Sequence, residues 1–177
     1  MNKNIKTRII TRLALLIAMA VILKLFVSIT TSEYRFTFYD LPLMISGIMF
    51  GPIYGAIAGF STDVANIVYP NLATGFNLMT ISSIMWGLIP GLLLHKRKVN
   101  LLTVSIAVVM TSAICFSINT WQLAIWSNGA SLHWAMLAPR IVTALLKLPI
   151  QVIVVEILYS RVIVWDLKKL NKSMGTI

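Results

Sequence analysis

Eleven of the fifteen lysines and arginines of this chain stand in three clusters, with long apolar stretches between them. The clusters are Lys3, Lys6, Arg8 and Arg12; Lys96, Arg97 and Lys98, beside His95; and Arg161, Lys168, Lys169 and Lys172. Hydrophobic residues make up 58% of the chain and charged residues 11%, against roughly 25% charged in an ordinary soluble domain. So few charges do not cover a soluble surface, and the home left for this much apolar surface is lipid. The apolar runs are continuous rather than alternating, which argues against a β-barrel. The expected fold is therefore an all-α integral membrane protein.

A spanning helix needs roughly 17–25 apolar residues, so 177 residues accommodate six spans with tight loops. The chain reads as a single domain over 1–177, without a linker or low-complexity tract. Its basic start followed by an apolar run resembles a signal peptide. No small-residue cleavage site follows, so the run reads as a retained first helix. The net charge of +10 sits at the ends of apolar segments, where it carries orientation information rather than a nucleic-acid patch. Cys115 is the only cysteine, so no internal disulfide is possible.

Parity sets the topology. By the positive-inside rule all three clusters are cytoplasmic, so the number of crossings between consecutive clusters is even. With span one at about 10–29, the stretch from Asp40 to His95 must cross an odd number of times. Splitting it at Gly51-Pro52 gives three helices and satisfies that count, and Gly ends helices as readily as Pro begins them. The expected helices are about 10–29, 40–51, 52–69, 78–95, 101–121 and 134–160, with a basic tail over 161–177. Both termini are then cytoplasmic, and Thr30–Tyr39, Pro70–Asn77 and Gln122–His133 are outer loops. The second helix, about 18 Å long, is short for a core of about 30 Å and must be shielded by its neighbours or thin the membrane locally.

Several residues stand out. Trp121, Trp126 and Trp134 surround the third outer loop, where an interfacial aromatic belt accounts for them without a ligand. Gly47, Gly51, Gly55 and Gly59 recur every four residues, as do Gly87 and Gly91, and close helix packing explains both series. Ala14 and Ala18 are a small-residue pair that lets another helix approach, in this protein or in a partner. Lys24, Asp63, Arg140, Lys147 and Glu156 are ionisable residues inside apolar segments, where each is costly and normally faces the bundle interior. Arg140 and Lys147, seven apart, share one face of helix six and suit an anionic ligand. For Lys147 the alternative stays open that it and Lys24 pair with Asp63 and Glu156. Asp63 and Asn66 share a face of helix three. Asp40, ahead of Leu41-Pro42, reads as a helix N-cap rather than a ligand group.

Enzymatic readings find little support. His95 and His133 fall on opposite sides of the membrane and cannot share a metal. There is no P-loop and no nucleophile elbow. The energy for any uphill transport must come from ions or from partner proteins.

The segments Leu41-Pro42-Leu43-Met44-Ile45-Ser46-Gly47-Ile48-Met49-Phe50-Gly51-Pro52, Gly59-Phe60-Ser61-Thr62-Asp63, Gly87-Leu88-Ile89-Pro90-Gly91, Asn119-Thr120-Trp121, Pro139-Arg140 and Lys147-Leu148-Pro149-Ile150, with Ala14-x-x-x-Ala18 in helix one, resemble the S components of energy-coupling factor (ECF) vitamin transporters, most of all the folate-specific ones. The similarity runs from about Leu13 to Leu158. It departs at Thr74-Gly75-Phe76-Asn77 and at Ile125-Trp126-Ser127-Asn128-Gly129, both in outer loops.

The resemblance implies a multi-pass protein of the bacterial cell membrane. It implies a vitamin, here folate, bound from outside as the transported ligand, with no cofactor. It also implies docking through Ala14 and Ala18 onto a transmembrane coupling protein served by two cytosolic ATPases. On that reading Arg35 and Arg140 meet the ligand's charge. Trp86, Trp121 and Phe76 supply stacking or apolar faces. Asp63, Asn77 and Asn119 read polar edges, with Lys147 deeper on the Arg140 face. Other readings are a different vitamin or precursor, such as pantothenate or a pyrimidine precursor, a small membrane enzyme, or a structural bundle.

Overall fold

The structure is a computed structural model, and it describes residues 3–30, 35–68, 77–95, 100–126 and 134–158. The described residues form six α-helices: α1 Lys3–Leu25, α2 Asp40–Phe50, α3 Pro52–Val68, α4 Leu78–Leu94, α5 Leu101–Trp126 and α6 Trp134–Leu158. Between α1 and α2 lies a two-stranded antiparallel ladder, β1 Ile29–Thr30 against β2 Arg35–Phe36, with Ile29 opposite Phe36 and Thr30 opposite Arg35.

Two helices differ from the sequence expectation at their ends. α1 was expected over 10–29. It begins at Lys3 and stops at Leu25, since its basic first turns extend the helix and Ile29–Thr30 go into the ladder. α5 was expected to end at 121 and continues to Trp126. The Trp and Gln that read as loop residues there are compatible with helix when the apolar series continues through Leu123, Ala124 and Ile125.

The break at Gly51-Pro52 is present. Phe50 closes α2, Gly51 turns the chain at φ 104°, and Pro52 opens α3 with its fixed φ and missing N–H. His95, at the end of α4, places Nδ1 2.9 Å from the Ile48 carbonyl and lays its ring against Gly51, so α4 clamps this turn.

The glycine series explains how α2, α3 and α4 pack. A methyl group added at Gly47 or Gly55 would collide with the Gly87 carbonyl, and one at Gly59 with the Ser83 carbonyl. The backbones are thus in direct contact, as small residues permit where no hydrophobic effect drives helices together. α4 packs against α2, α3 and α5; α1 lies on α2 and α3; α6 packs on α5 and touches α2. Leu43, Met44, Leu94, Val104, Val108 and Val155 are fully buried at the centre.

Leu101–Ile125 and Leu137–Leu158 are long and apolar enough to cross a membrane by length and composition. α6 leaves Val142, Leu145, Leu146, Ile150, Ile153 and Ile157 exposed. A continuous apolar face of this kind is unstable against water and suits lipid. The short α2, by contrast, is almost wholly buried from Asp40 to Ile48, so its neighbours shield it.

Asp40 is not the N-cap of α2. Tyr39 occupies that position and makes no side-chain cap bond, while Asp40 is the first helical residue. Its carboxylate is fully buried and bonds across the bundle to α6, 2.9 Å from Lys147 Nζ. That lysine stands 13 residues into α6, about 20 Å along its axis at the helical rise, so α2 starts deep in the bundle rather than at its edge.

Candidate functional site

The C-terminal ends of α1, α3 and α5 and the N-terminal ends of α4 and α6 meet at one end of the bundle, and most of the buried polar groups gather there. Asn77 starts α4 with a reciprocal cap: its Oδ1 accepts from Met79 N–H at 2.9 Å, and its own N–H donates to Thr80 Oγ1 at 3.4 Å. Leu78 N–H, one of the orphan donors of that helix start, donates to Gln122 Oε1 of α5 at 2.9 Å. Asn77 thus serves the start of α4.

Two buried ion pairs organise the interior. In the first, Lys24 Nζ of α1 lies 2.5 Å from Asp63 Oδ1 of α3 and donates to Ser83 Oγ at 3.3 Å. Thr80 donates to Asp63 Oδ2 at 2.5 Å and Ser83 to Oδ1 at 3.5 Å, so both carboxylate oxygens are engaged. The Tyr39 ring lies 4.8 Å from the ammonium. The reading in which Lys24 pairs with Asp63 therefore holds.

The second pair joins Lys147 to Asp40, where sequence alone offered Asp63 or Glu156 as the partner. Gln151, one turn along α6, donates to the same Asp40 oxygen, Oδ2. The Lys147 ammonium also faces two aromatic rings, Trp86 at 5.8 Å and Phe38 at 5.9 Å. Trp86 is buried and faces this cluster. Above it on the same α4 face, one turn nearer the helix start, is Ser82, whose carbonyl accepts the Cys115 thiol of α5 at 3.5 Å. Asn119 stands one turn beyond Cys115.

Arg140, two turns above Lys147 on α6, lays its guanidinium 5.5 Å from the Phe116 ring of α5. The shared face expected for Arg140 and Lys147 thus turns toward the bundle rather than toward lipid. An open groove of about 550 Å³ runs along α5 beside Leu137 of α6, lined also by Phe116, Ser117, Thr120, Trp121, Ala124 and Ile125. Its size falls in the range of small-molecule pockets and its lining is mostly apolar. Trp121 stands at its edge, 68% exposed.

Buried side-chain atoms normally find a hydrogen-bond partner. Among the described residues, Arg140 Nη1, Asn119 Oδ1, Thr120 Oγ1, Ser82 Oγ, Asn66 Oδ1 and Asp40 Oδ1 have none. They come from α2, α3, α4, α5 and α6. Together they offer one cationic donor, two hydroxyls, two amide oxygens and one carboxylate oxygen, in surroundings rich in aromatic rings. Each is a buried atom that a ligand with polar edges and negative charge would satisfy.

Of the residues singled out in the sequence, Arg140, Asn119, Trp86, Lys147 and Trp121 belong to α4, α5 and α6 in this region. Asp63 belongs to the neighbouring ion pair and Asn77 to the helix cap. Phe76 and the side chain of Arg35 lie outside the described residues. Ala14 and Ala18 are exposed on α1, on the face that also carries Leu15, Met19 and Ile22. Sequence reasoning missed Ser82, Thr120, Phe38 and Phe116, and misread Asp40. The Thr80, Ser82, Ser83 trio was a visible signal: three hydroxyls in an otherwise apolar helix need internal partners.

Comparison with known proteins sharpens this picture. The family described as "ECF transporter, substrate-specific component" matches residues 8–159. The folate transporter FolT of Clostridium novyi (strain NT) is 28% identical over 151 residues, covering 85% of this chain and 87% of that protein. The crystal structure of FolT bound with folic acid superposes with a TM-score of 0.77 at 22% identity, over 92% of this chain and 95% of that one. A structure of the S component of a bacterial ECF transporter gives a TM-score of 0.66 at 18% identity, over 88% and 95%.

Proposed function

Because the chain belongs to the substrate-specific components of ECF transporters, we propose that its substrate is folate, bound from outside the cell and delivered inward by partner subunits. The observation that carries this reading is Arg140 Nη1, buried with no partner, its guanidinium against the Phe116 ring that lines the apolar groove. A half-buried guanidinium with one buried nitrogen in want of an acceptor calls for an anion, and folate carries two carboxylates on a flat heterocyclic and aromatic frame. The similarity to the folate transporter of Clostridium novyi supports the same choice.

In this reading the six helices all lie in the bacterial cell membrane with both termini cytoplasmic, and the polar end of the bundle faces outward. Arg140 and Arg35 take the carboxylates; Trp86, Trp121 and Phe76 give the rings their apolar faces; Asn119 reads a polar edge, with Asp63, Asn77 and Lys147 near it. The chain is no enzyme. Its energy comes from two ATPases on the cytosolic side, through a transmembrane coupling protein that docks on the exposed Ala14 and Ala18 face of α1.

The experiment is uptake into proteoliposomes. Reconstitution with coupling protein and ATPases should give folic acid accumulation that requires internal-face ATP and every subunit. Accumulation by the isolated chain, or none with the full set, would contradict the proposal.

A further inference from the structure

We propose that Asp40 is a substrate-reading residue: its Oδ1 accepts a hydrogen bond from the exocyclic amine on the pterin ring of the ligand, beside the rings of Phe38 and Trp86. This rests on the folate reading above and names the contact that distinguishes one flat heterocycle from another.

Three acidic side chains stand among the described residues, and two of them are unsuited to this task. Asp63 has both oxygens engaged, Oδ1 by Lys24 and Ser83 and Oδ2 by Thr80. Glu156 lies nine residues past Lys147 on α6, about 14 Å farther from the polar end at the helical rise. Asp40 alone combines full burial with an oxygen that has no donor. Leaving such an acceptor unmet is costly, so its natural complement is an N–H brought by something that binds there.

The surroundings say what kind of molecule that is. Lys147 and Gln151, four apart on one face of α6, both donate to Asp40 Oδ2. They fix the plane of the carboxylate and leave Oδ1 as the open acceptor. The ammonium also sits near 6 Å from two ring centroids, Trp86 and Phe38, broad apolar faces beside the ion pair. An N–H donor on the edge of a flat aromatic ring system satisfies both features, and the 2-amino group of pterin is one. Lys147, whose side chain is 19% exposed against 0% for Asp40, is the more accessible partner of the pair.

The test uses the purified full chain and two ligands, folic acid and 2-deamino-2-methylfolic acid, which has a methyl group in place of the amine. Equilibrium dialysis should show wild-type protein preferring folic acid by about tenfold or more, the worth of one charge-assisted hydrogen bond. In Asp40→Asn, Lys147 and Gln151 still demand an oxygen, so the new amide turns its NH₂ to the ligand, and the preference should collapse toward unity. Asp40→Glu, which keeps the charge but moves the oxygen by a methylene, should shrink the ratio if the Asn variant fails to fold. Equal affinities in wild type, or an undiminished ratio in the variants, would overturn the role of Asp40 while leaving folate binding intact. Wild type that binds neither ligand would remove the folate reading itself, and this inference with it.

Discussion

Lys24 Nζ and Asp63 Oδ1 lie 2.5 Å apart with their side chains only 6% and 7% exposed, tying α1 to α3 inside an apolar bundle. Breaking one side of a buried pair leaves an uncompensated charge, at about 3–5 kcal/mol. Lys24→Met should therefore lower the midpoint of thermal unfolding in detergent sharply, and Lys24→Met with Asp63→Leu should recover much of the loss. A double variant no more stable than the single one would mean that the ion pair is not what holds these helices.

The contact of α2, α3 and α4 through glycine gives a second expectation. Gly87→Ala inserts a methyl group into the Gly55 backbone, which has no side chain able to move aside. Overpacking of this kind costs typically 1–3 kcal/mol and occasionally more. Unfolding in detergent should show at least that loss for Gly87→Ala. Leu145→Ala, on the exposed face of α6, should change little.

How much of this was legible beforehand depended on the kind of signal. The helix count and the break at Gly51-Pro52 followed from apolar length, basic clusters and parity, because bilayer thickness allows few alternatives. Glycine spacing announced close packing for the same reason. Pairing was harder. Lys147 plainly needed a partner, but which acid it met depended on how deep α2 begins, and a periodicity argument carries no information on depth. Asp40 looked like a cap because Asp often is one. Once α2 starts in the interior, next to α6, the same residue becomes a counter-ion. The orphan atoms of Ser82, Asn66 and Thr120 were out of reach because hydroxyl and amide satisfaction is a property of the packed bundle.

Arg140 has a buried donor with no acceptor, so it contributes little to the stability of the unliganded protein. Arg140→Gln should leave thermal stability unchanged or slightly raised while weakening folic acid by about 10- to 100-fold, the worth of a hydrogen bond to a charged group. Titration calorimetry alongside thermal unfolding separates the two effects. A matching loss in both would reassign Arg140 to structure.

Ala14 and Ala18 are exposed on α1. Leu at both positions should leave folic acid binding and unfolding temperature as in wild type, yet abolish uptake once the coupling protein and ATPases are present. Uptake at wild-type rate would exclude this face of α1 as the docking surface.

The most direct measurement of the central claim is saturable binding of radiolabelled folic acid to the purified chain, without any partner protein, in competition with unlabelled vitamins. The account predicts one site per chain, displaced by unlabelled folic acid and untouched by excess pantothenate. Absence of saturable binding, or displacement by pantothenate or a pyrimidine precursor in place of folic acid, would contradict it.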